Sequence, residues 1–154
     1  MAASQDILTR SRWQKADLAD LLRTELAQAF GRDLPEGMLS GPKVVLDEAA
    51  TQALGLTFHE LATNALKYGD IDKLKVSWEL VEEPGGAWRL SLVWLERTET
   101  PAEAPAKTGF GTKLIDMNVE RELGGSIVRD FGAGGLRIDI VIPLGGRRRT
   151  DRPV

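Results

Sequence analysis

The sequence holds no cysteine and a single histidine, His59. Without a thiol there is no disulfide framework, no thiolate zinc site and no cysteine nucleophile, and one imidazole excludes a multi-histidine metal centre. Charge of one sign is not in excess either: 20 Lys and Arg oppose 23 Asp and Glu, for a net charge of −3. The chain therefore lacks the overall positive field that gathers nucleic acid or an anionic membrane surface. No apolar run approaches the roughly 18 residues of a membrane span, and the N-terminus shows no leader pattern of basic then apolar residues. These absences set the expectation of a cytoplasmic protein with no nucleic-acid partner and no membrane contact in this segment.

What is present suffices for one core, since 154 residues with 42% hydrophobic and 28% charged side chains lie in the range of a single folded domain. Leu18, Leu21, Leu22, Leu26 and Phe30 recur at helical spacing, with Asp17 placed to cap the start and Gly31 the end. Residues 32–42, with two prolines and scattered glycine and serine, read as a loop leading into the extended run Val44-Val45-Leu46. Asp47 stands as the cap of a second helix that runs to Tyr68, with Gly69 as its stop. From Lys73 the period becomes two: Leu74, Val76, Trp78 and Leu80 alternate with polar residues, and a Pro84-Gly85-Gly86 turn returns the chain through Trp88, Leu90, Leu92 and Trp94.

Residues 97–107, rich in Thr, Pro, Ala and Glu, predict a mobile loop. Leu114, Ile115, Val119 and Leu123 predict a third helix, begun after Gly111 and ended at Gly124-Gly125, and residues 127–131 and 136–142 a second hairpin. The domain reading is an N-terminal arm at 1–16, a folded domain at 17–144 and a disordered basic tail at 145–154. The order of elements implies helices packed on one face of a largely antiparallel sheet.

On the second helix, at about 100° per residue, Leu54, Phe58, Leu61 and Ala65 share one side, while Glu60, Asn64 and Lys67 fall within roughly 60° of one another on a different side. The stripe has two readings. It is an exposed face tied by a pair such as Glu60 to Asn64, or it is an acid, an amide and a cation converging on a charged ligand. In the second case Glu60 and Asn64 suit a hydrated Mg²⁺ and Lys67 suits a phosphate.

Gly109 and Gly111, ahead of Thr112, mark either a plain loop-to-helix joint or a place where backbone N–H groups approach an anion. Trp94 and Glu96 share the parity of Leu90 and Leu92, so Glu96 is aimed at the interior, where a carboxylate needs a donor. An adenine amino group is one such donor, and solvent at the strand end is the other reading. His59 lies on a flank of its helix, as a packed or capping residue or as a general base. Trp13, Trp78 and Trp88 read as core anchors.

The order of these pieces is more specific than any one of them. His59-Glu60-Leu61-Ala62-Thr63-Asn64-Ala65-Leu66-Lys67-Tyr68-Gly69 resembles the N box of the HWE group of bacterial sensor histidine kinases, whose other hallmark is a Trp-x-Glu motif downstream. Trp94-Leu95-Glu96 stands in that place, Gly109-Phe110-Gly111-Thr112-Lys113-Leu114-Ile115 is similar to the family's glycine box, and Leu123-Gly124-Gly125 with residues 135–144 to its closing hairpin. The likeness spans residues 18–144.

The resemblance implies the GHKL ATP-binding fold: an α/β (α+β) two-layer sandwich with a mixed, largely antiparallel sheet and three helices on one face. It implies ATP and Mg²⁺ as cofactors, with Asn64 and Glu60 at the metal and with Glu60, Asn64 and His59 as the catalytic group. Lys67, Tyr68, Glu96, Gly109, Phe110, Gly111, Thr112 and Leu114 join Asn64 as ATP-binding residues, Glu96 reading adenine, and residues 97–107 become the lid. The chain's only histidine falls in the N box, so the phosphoacceptor is expected on a dimerisation or phosphotransfer domain in cis or in trans, with a response regulator downstream. Two departures accompany the likeness: Arg97-Thr98-Glu99-Thr100-Pro101 carries no glycine where the family has a Gly-Gly-Pro type turn, and no dimerisation helix pair precedes the domain. The alternatives are a serine kinase resembling anti-sigma factors and a nucleotide-binding or docking module with weakened catalysis.

Overall fold

In a computed structural model of the chain, which describes residues 16–68, 71–98 and 110–145, Asp17 opens the first helix. Its side chain accepts from the Asp20 N–H at 3.3 Å. Gly31 closes this helix, α1 (Leu18–Phe30), by donating its N–H to the Ala27 carbonyl from a left-handed conformation. Ahead of α1, the two-residue strand β1 (Ala16–Asp17) pairs antiparallel with β3 (Val45–Leu46). The longest helix, α2 (Glu48–Tyr68), is capped by Asp47, whose Oδ1 accepts from the Ala50 N–H at 2.8 Å. The stop assigned to Gly69 lies outside the described residues, as do Trp13, Gly109, the arm before Ala16, the loop positions 99–107 and the tail beyond Gly145.

Four longer strands and one short one make the main sheet: β2 (Leu39–Ser40), β4 (Leu74–Glu82), β5 (Trp88–Arg97), β6 (Ser126–Gly132) and β7 (Gly135–Gly145). Their order is β2-β4-β5-β7-β6, antiparallel at every step except the parallel pairing of β2 with β4. Period-two alternation decides the faces. Leu74, Val76, Trp78, Leu90, Leu92 and Trp94 are buried together with Ile138, Ile140 and Ile142, while Lys73, Lys75, Ser77 and Glu79 are exposed on the other face. Onto the buried face pack Leu18, Leu22 and Leu26 of α1 and Leu54, Phe58, Leu61 and Ala65 of α2. Trp78 is held further by its Nε1–H, which donates to the Pro42 carbonyl at 2.8 Å. Trp88, read as a core anchor, is only half-buried.

The two-layer sandwich with a mixed, mostly antiparallel sheet agrees with the expected class, and several local expectations need correction. Arg97, expected in the loop at 97–107, is the last residue of β5 and pairs with Gly135, and Ala16 and Gly145, expected in the arm and the tail, lie in β1 and β7, because ladder pairing extends each strand past its apolar alternation. Residues 32–42 are not loop throughout, because Leu39 and Ser40 add a parallel strand beside Val76 and Ser77. Two residues are too few for an alternation to be seen in sequence. The third helix begins at Phe110, earlier than expected, as α3 (Phe110–Asp116), and it continues as a π-helical segment, Met117–Glu122. There the Leu123 N–H reaches the Asn118 carbonyl, five residues back, at 3.2 Å. Ile115 and Val119 stay buried through this change of pitch, so their spacing alone could not reveal it.

Candidate functional site

Residues that pair across strands fall into rows on the buried face. One row runs Phe131, Leu136, Glu96, Leu74, and the next Arg129, Ile138, Trp94, Val76. Glu96 is thus a carboxylate in an apolar row, 7% exposed. The donor it requires comes first from its own strand: the Nε1–H of Trp94, two residues earlier on the same face, donates to Glu96 Oε2 at 2.8 Å. Burial pushes the Glu96 carboxyl above its ordinary range, and the Trp94 N–H pulls it partly back by favouring the charged form. The end of β5 is closed by Gly135, at φ +126°, which pairs with Arg97. A Cβ at Gly135 would stand 1.9 Å from the Glu96 carbonyl oxygen, so only glycine lets β7 lie this close.

On α2, Glu60 and Asn64 are half-buried and Lys67 is exposed. Among the described residues no hydrogen bond or ion pair engages these three side chains, so the internal pairing weighed for this stripe is not formed. Glu60 instead faces α3: a Cβ at Gly111 would stand 2.0 Å from Glu60 Oε2 and 2.6 Å from its carboxyl carbon. The acid of the 59–69 motif and a glycine of the 109–115 motif are thereby brought into contact. Gly111 does not precede the helix, as expected from sequence, but lies within its first turn, where its missing side chain makes room for Glu60. Thr112 and Leu114 are half-buried on α3, Phe110 begins that helix and Tyr68 is the last residue of α2.

His59 is not part of the stripe. It lies on the flank toward α1, half-exposed, with Nδ1 3.6 Å from Oε1 of Glu25, itself 4% exposed. Sequence reasoning passed over Glu25, although its signal was present: it follows Leu18, Leu21 and Leu22 in the apolar register of α1, where an acid is out of place. A second pair that went unnoticed is Arg129 of β6 with Asp116 at the end of α3, 3.0 Å apart. Nothing local in the sequence links those two residues, which meet only because β6 folds back beneath the helix.

Glu60 and Asn64, a helical turn apart on α2, carry oxygen donors, one carboxylate and one amide, and the carboxylate faces α3. This is the hard-ligand chemistry that Mg²⁺ accepts when waters and phosphate oxygens complete its shell. Among the described residues no group of three His, Cys, Asp or Glu side chains forms a metal cage of its own, and no described helix is long and apolar enough to cross a membrane.

No family model matches the chain. Blue-light-activated histidine kinases of Brucella ovis and Brucella suis are 30% identical to it over 148 residues, 94% of this chain and 30% of theirs. That of Brucella anthropi is 30% identical over 151 residues. The chain thus spans less than a third of the length of the curated relatives it matches. Among solved structures, the catalytic domain of histidine kinase ThkA superposes with a TM-score of 0.59 at 18% identity, over 85% of this chain and 96% of that one. The Erythrobacter litoralis EL346 blue-light activated histidine kinase superposes with a TM-score of 0.58 at 20% identity, over 86% of this chain and 42% of that one. The chain is therefore homologous to a segment of the blue-light-activated histidine kinases, and its fold is that of a histidine kinase catalytic domain.

Proposed function

We propose that the chain binds ATP between α2, α3 and the Glu96 end of β5, and that it transfers the γ-phosphoryl group to a histidine on a dimerisation or phosphotransfer domain, in cis or in trans. The reaction belongs in the cytoplasm, with a response regulator downstream. The observation that carries this reading is Glu96: a buried carboxylate with one oxygen held by Trp94, at the end of a central strand in a row of apolar neighbours. An adenine N6 amino group supplies the second donor that such a carboxylate calls for.

From that anchor the triphosphate extends toward α2. Asn64 and Glu60 would hold Mg²⁺, which would screen the phosphate charge. Lys67 would meet the phosphates from the end of α2, and Gly111, Thr112 and Leu114 would border them from the α3 side; the ATP-binding roles of Tyr68, Gly109 and Phe110 rest on the resemblance alone. Glu60 accepts the N–H of the incoming imidazole, so that the other ring nitrogen keeps its lone pair and attacks the γ-phosphorus. The bond to the β–γ bridging oxygen breaks, and ADP leaves with the electron pair. His59 stands beside Glu60 on the outward flank, steadied by Glu25. The test supplies ATP labelled in the γ-phosphoryl group and a purified dimerisation domain. Label on that domain's histidine, absent when Asn64 is replaced by Ala, supports the reading. ATP binding with no transfer to any such domain would sink the kinase assignment.

A further inference from the structure

An indole N–H is a donor only, so whichever atom of residue 96 faces Trp94 Nε1 has to be an acceptor. Trp94 is fully buried and Glu96 nearly so. The indole cannot turn away, because it sits in the core in the same row as Val76 and Ile138. The pair therefore ties Oε2 to the indole and leaves Oε1 with no hydrogen bond among the described residues.

We propose that Trp94 is a specificity-determining positioning residue: by holding one oxygen of Glu96 it aims the other, an acceptor, at position 6 of the base, so that the site takes a purine with an amino group there and refuses one with an oxo group. The inference rests on the reading of Glu96 as the residue that meets the base. It goes beyond that reading by making the aim of the acceptor a property of the pair and not of the carboxylate alone.

An isosteric amide separates the two. With the indole in place, Glu96→Gln must turn its amide oxygen to Nε1 and its NH2 toward the base. A donor then meets the adenine amino group, while the O6 acceptor of hypoxanthine is welcomed. Without control by the indole, the amide flips and offers its oxygen to adenine, so adenine binding persists.

The experiment is calorimetry on the full 154-residue chain with non-hydrolysable analogues of ATP and of inosine triphosphate. Wild type is expected to prefer the ATP analogue by about tenfold or more, the scale of a hydrogen bond to a charged group. Glu96→Gln is expected to reverse that preference, and adding Trp94→Phe to bring the ratio back toward unity by freeing the amide. An ATP preference that survives in Glu96→Gln overturns the proposal while leaving Glu96 at the base. If wild type does not distinguish the two analogues, or binds neither, both the base reading and the proposal fall. In Trp94→Phe alone, equal weakening of both analogues at an unchanged ratio marks a packing role and also overturns it. Should the Trp94 variants fail to fold, Glu96→Gln, which keeps the shape of the side chain, decides the matter by itself.

Discussion

The Glu60 carboxylate occupies the space that a side chain on Gly111 would need: a Cβ there would stand 2.0 Å from Oε2. What collides is the far end of a flexible side chain, so Gly111→Ala forces Glu60 to swing aside without breaking the core. Alanine is favoured over glycine within a helix by up to about 1 kcal/mol. The variant is therefore expected to melt no lower than wild type, yet to lose about tenfold or more of phosphoryl transfer. Differential scanning calorimetry alongside a transfer assay checks both halves, and a variant with normal transfer would show that the contact is incidental.

Asn64 is half-buried, lies off the apolar side of α2 and makes no hydrogen bond among the described residues. Asn64→Ala should then change stability by no more than about 0.5 kcal/mol, the usual scale for a residue without such ties. The Mg²⁺-dependent part of ATP binding should disappear. Urea titration and calorimetry with and without Mg²⁺ measure the two separately, and an unchanged Mg²⁺ response would remove Asn64 from the metal.

The raised pKa of Glu96 carries a signed consequence for stability. Between the ordinary value of 4.5 and the higher native one, the folded chain keeps a proton that the unfolded chain has released. Stability contributed by the neutral form is complete below the ordinary value and is lost as pH rises through the native one. Glu96→Gln keeps a neutral group at all pH and still accepts from Trp94. It is expected to raise the melting temperature at pH 7 and to flatten the decline in stability above pH 4.5. Melting curves across that range test this, and a variant less stable than wild type at pH 7 would show that the charged carboxylate is stabilised by a partner besides Trp94.

Arg129 and Asp116 join β6 to the end of α3, just before the π-helical segment. Both side chains keep some contact with water, so the pair contributes toward the lower end of the range for ion pairs, on the order of 1 kcal/mol. Arg129→Ala should lower stability by about that amount and speed amide exchange in Met117–Glu122 before the rest of the domain. Uniform exchange across the domain would mean that the pair does not hold the segment.

Much of this architecture could be seen in the sequence where one local rule governs it. Asp17 and Asp47 cap their helices because a carboxylate finds an N–H three residues on, and the alternation survives folding in Leu74, Val76 and Trp78 and in Leu90, Leu92 and Trp94 because these side chains share one buried face. Glu60, Asn64, Glu96 and Gly111 were all picked out, but their relations were not. Trp94 and Glu96 were seen to share a face, while the indole was not recognised as the donor, since parity does not reveal which polar edge turns where. Glu25, Asp116 and Arg129 depend on contacts between distant segments. The π-helical segment left no mark because buried Ile115 and Val119 fit either pitch.

The most direct test of a nucleotide site formed by Glu96, Asn64 and Glu60 is calorimetric titration of the full chain with a non-hydrolysable ATP analogue, with and without Mg²⁺. The account predicts saturable binding of one analogue per chain, strengthened by Mg²⁺ in wild type and not in Asn64→Ala. Absence of binding, or binding that is the same in wild type and in Asn64→Ala with Mg²⁺ present, would contradict it.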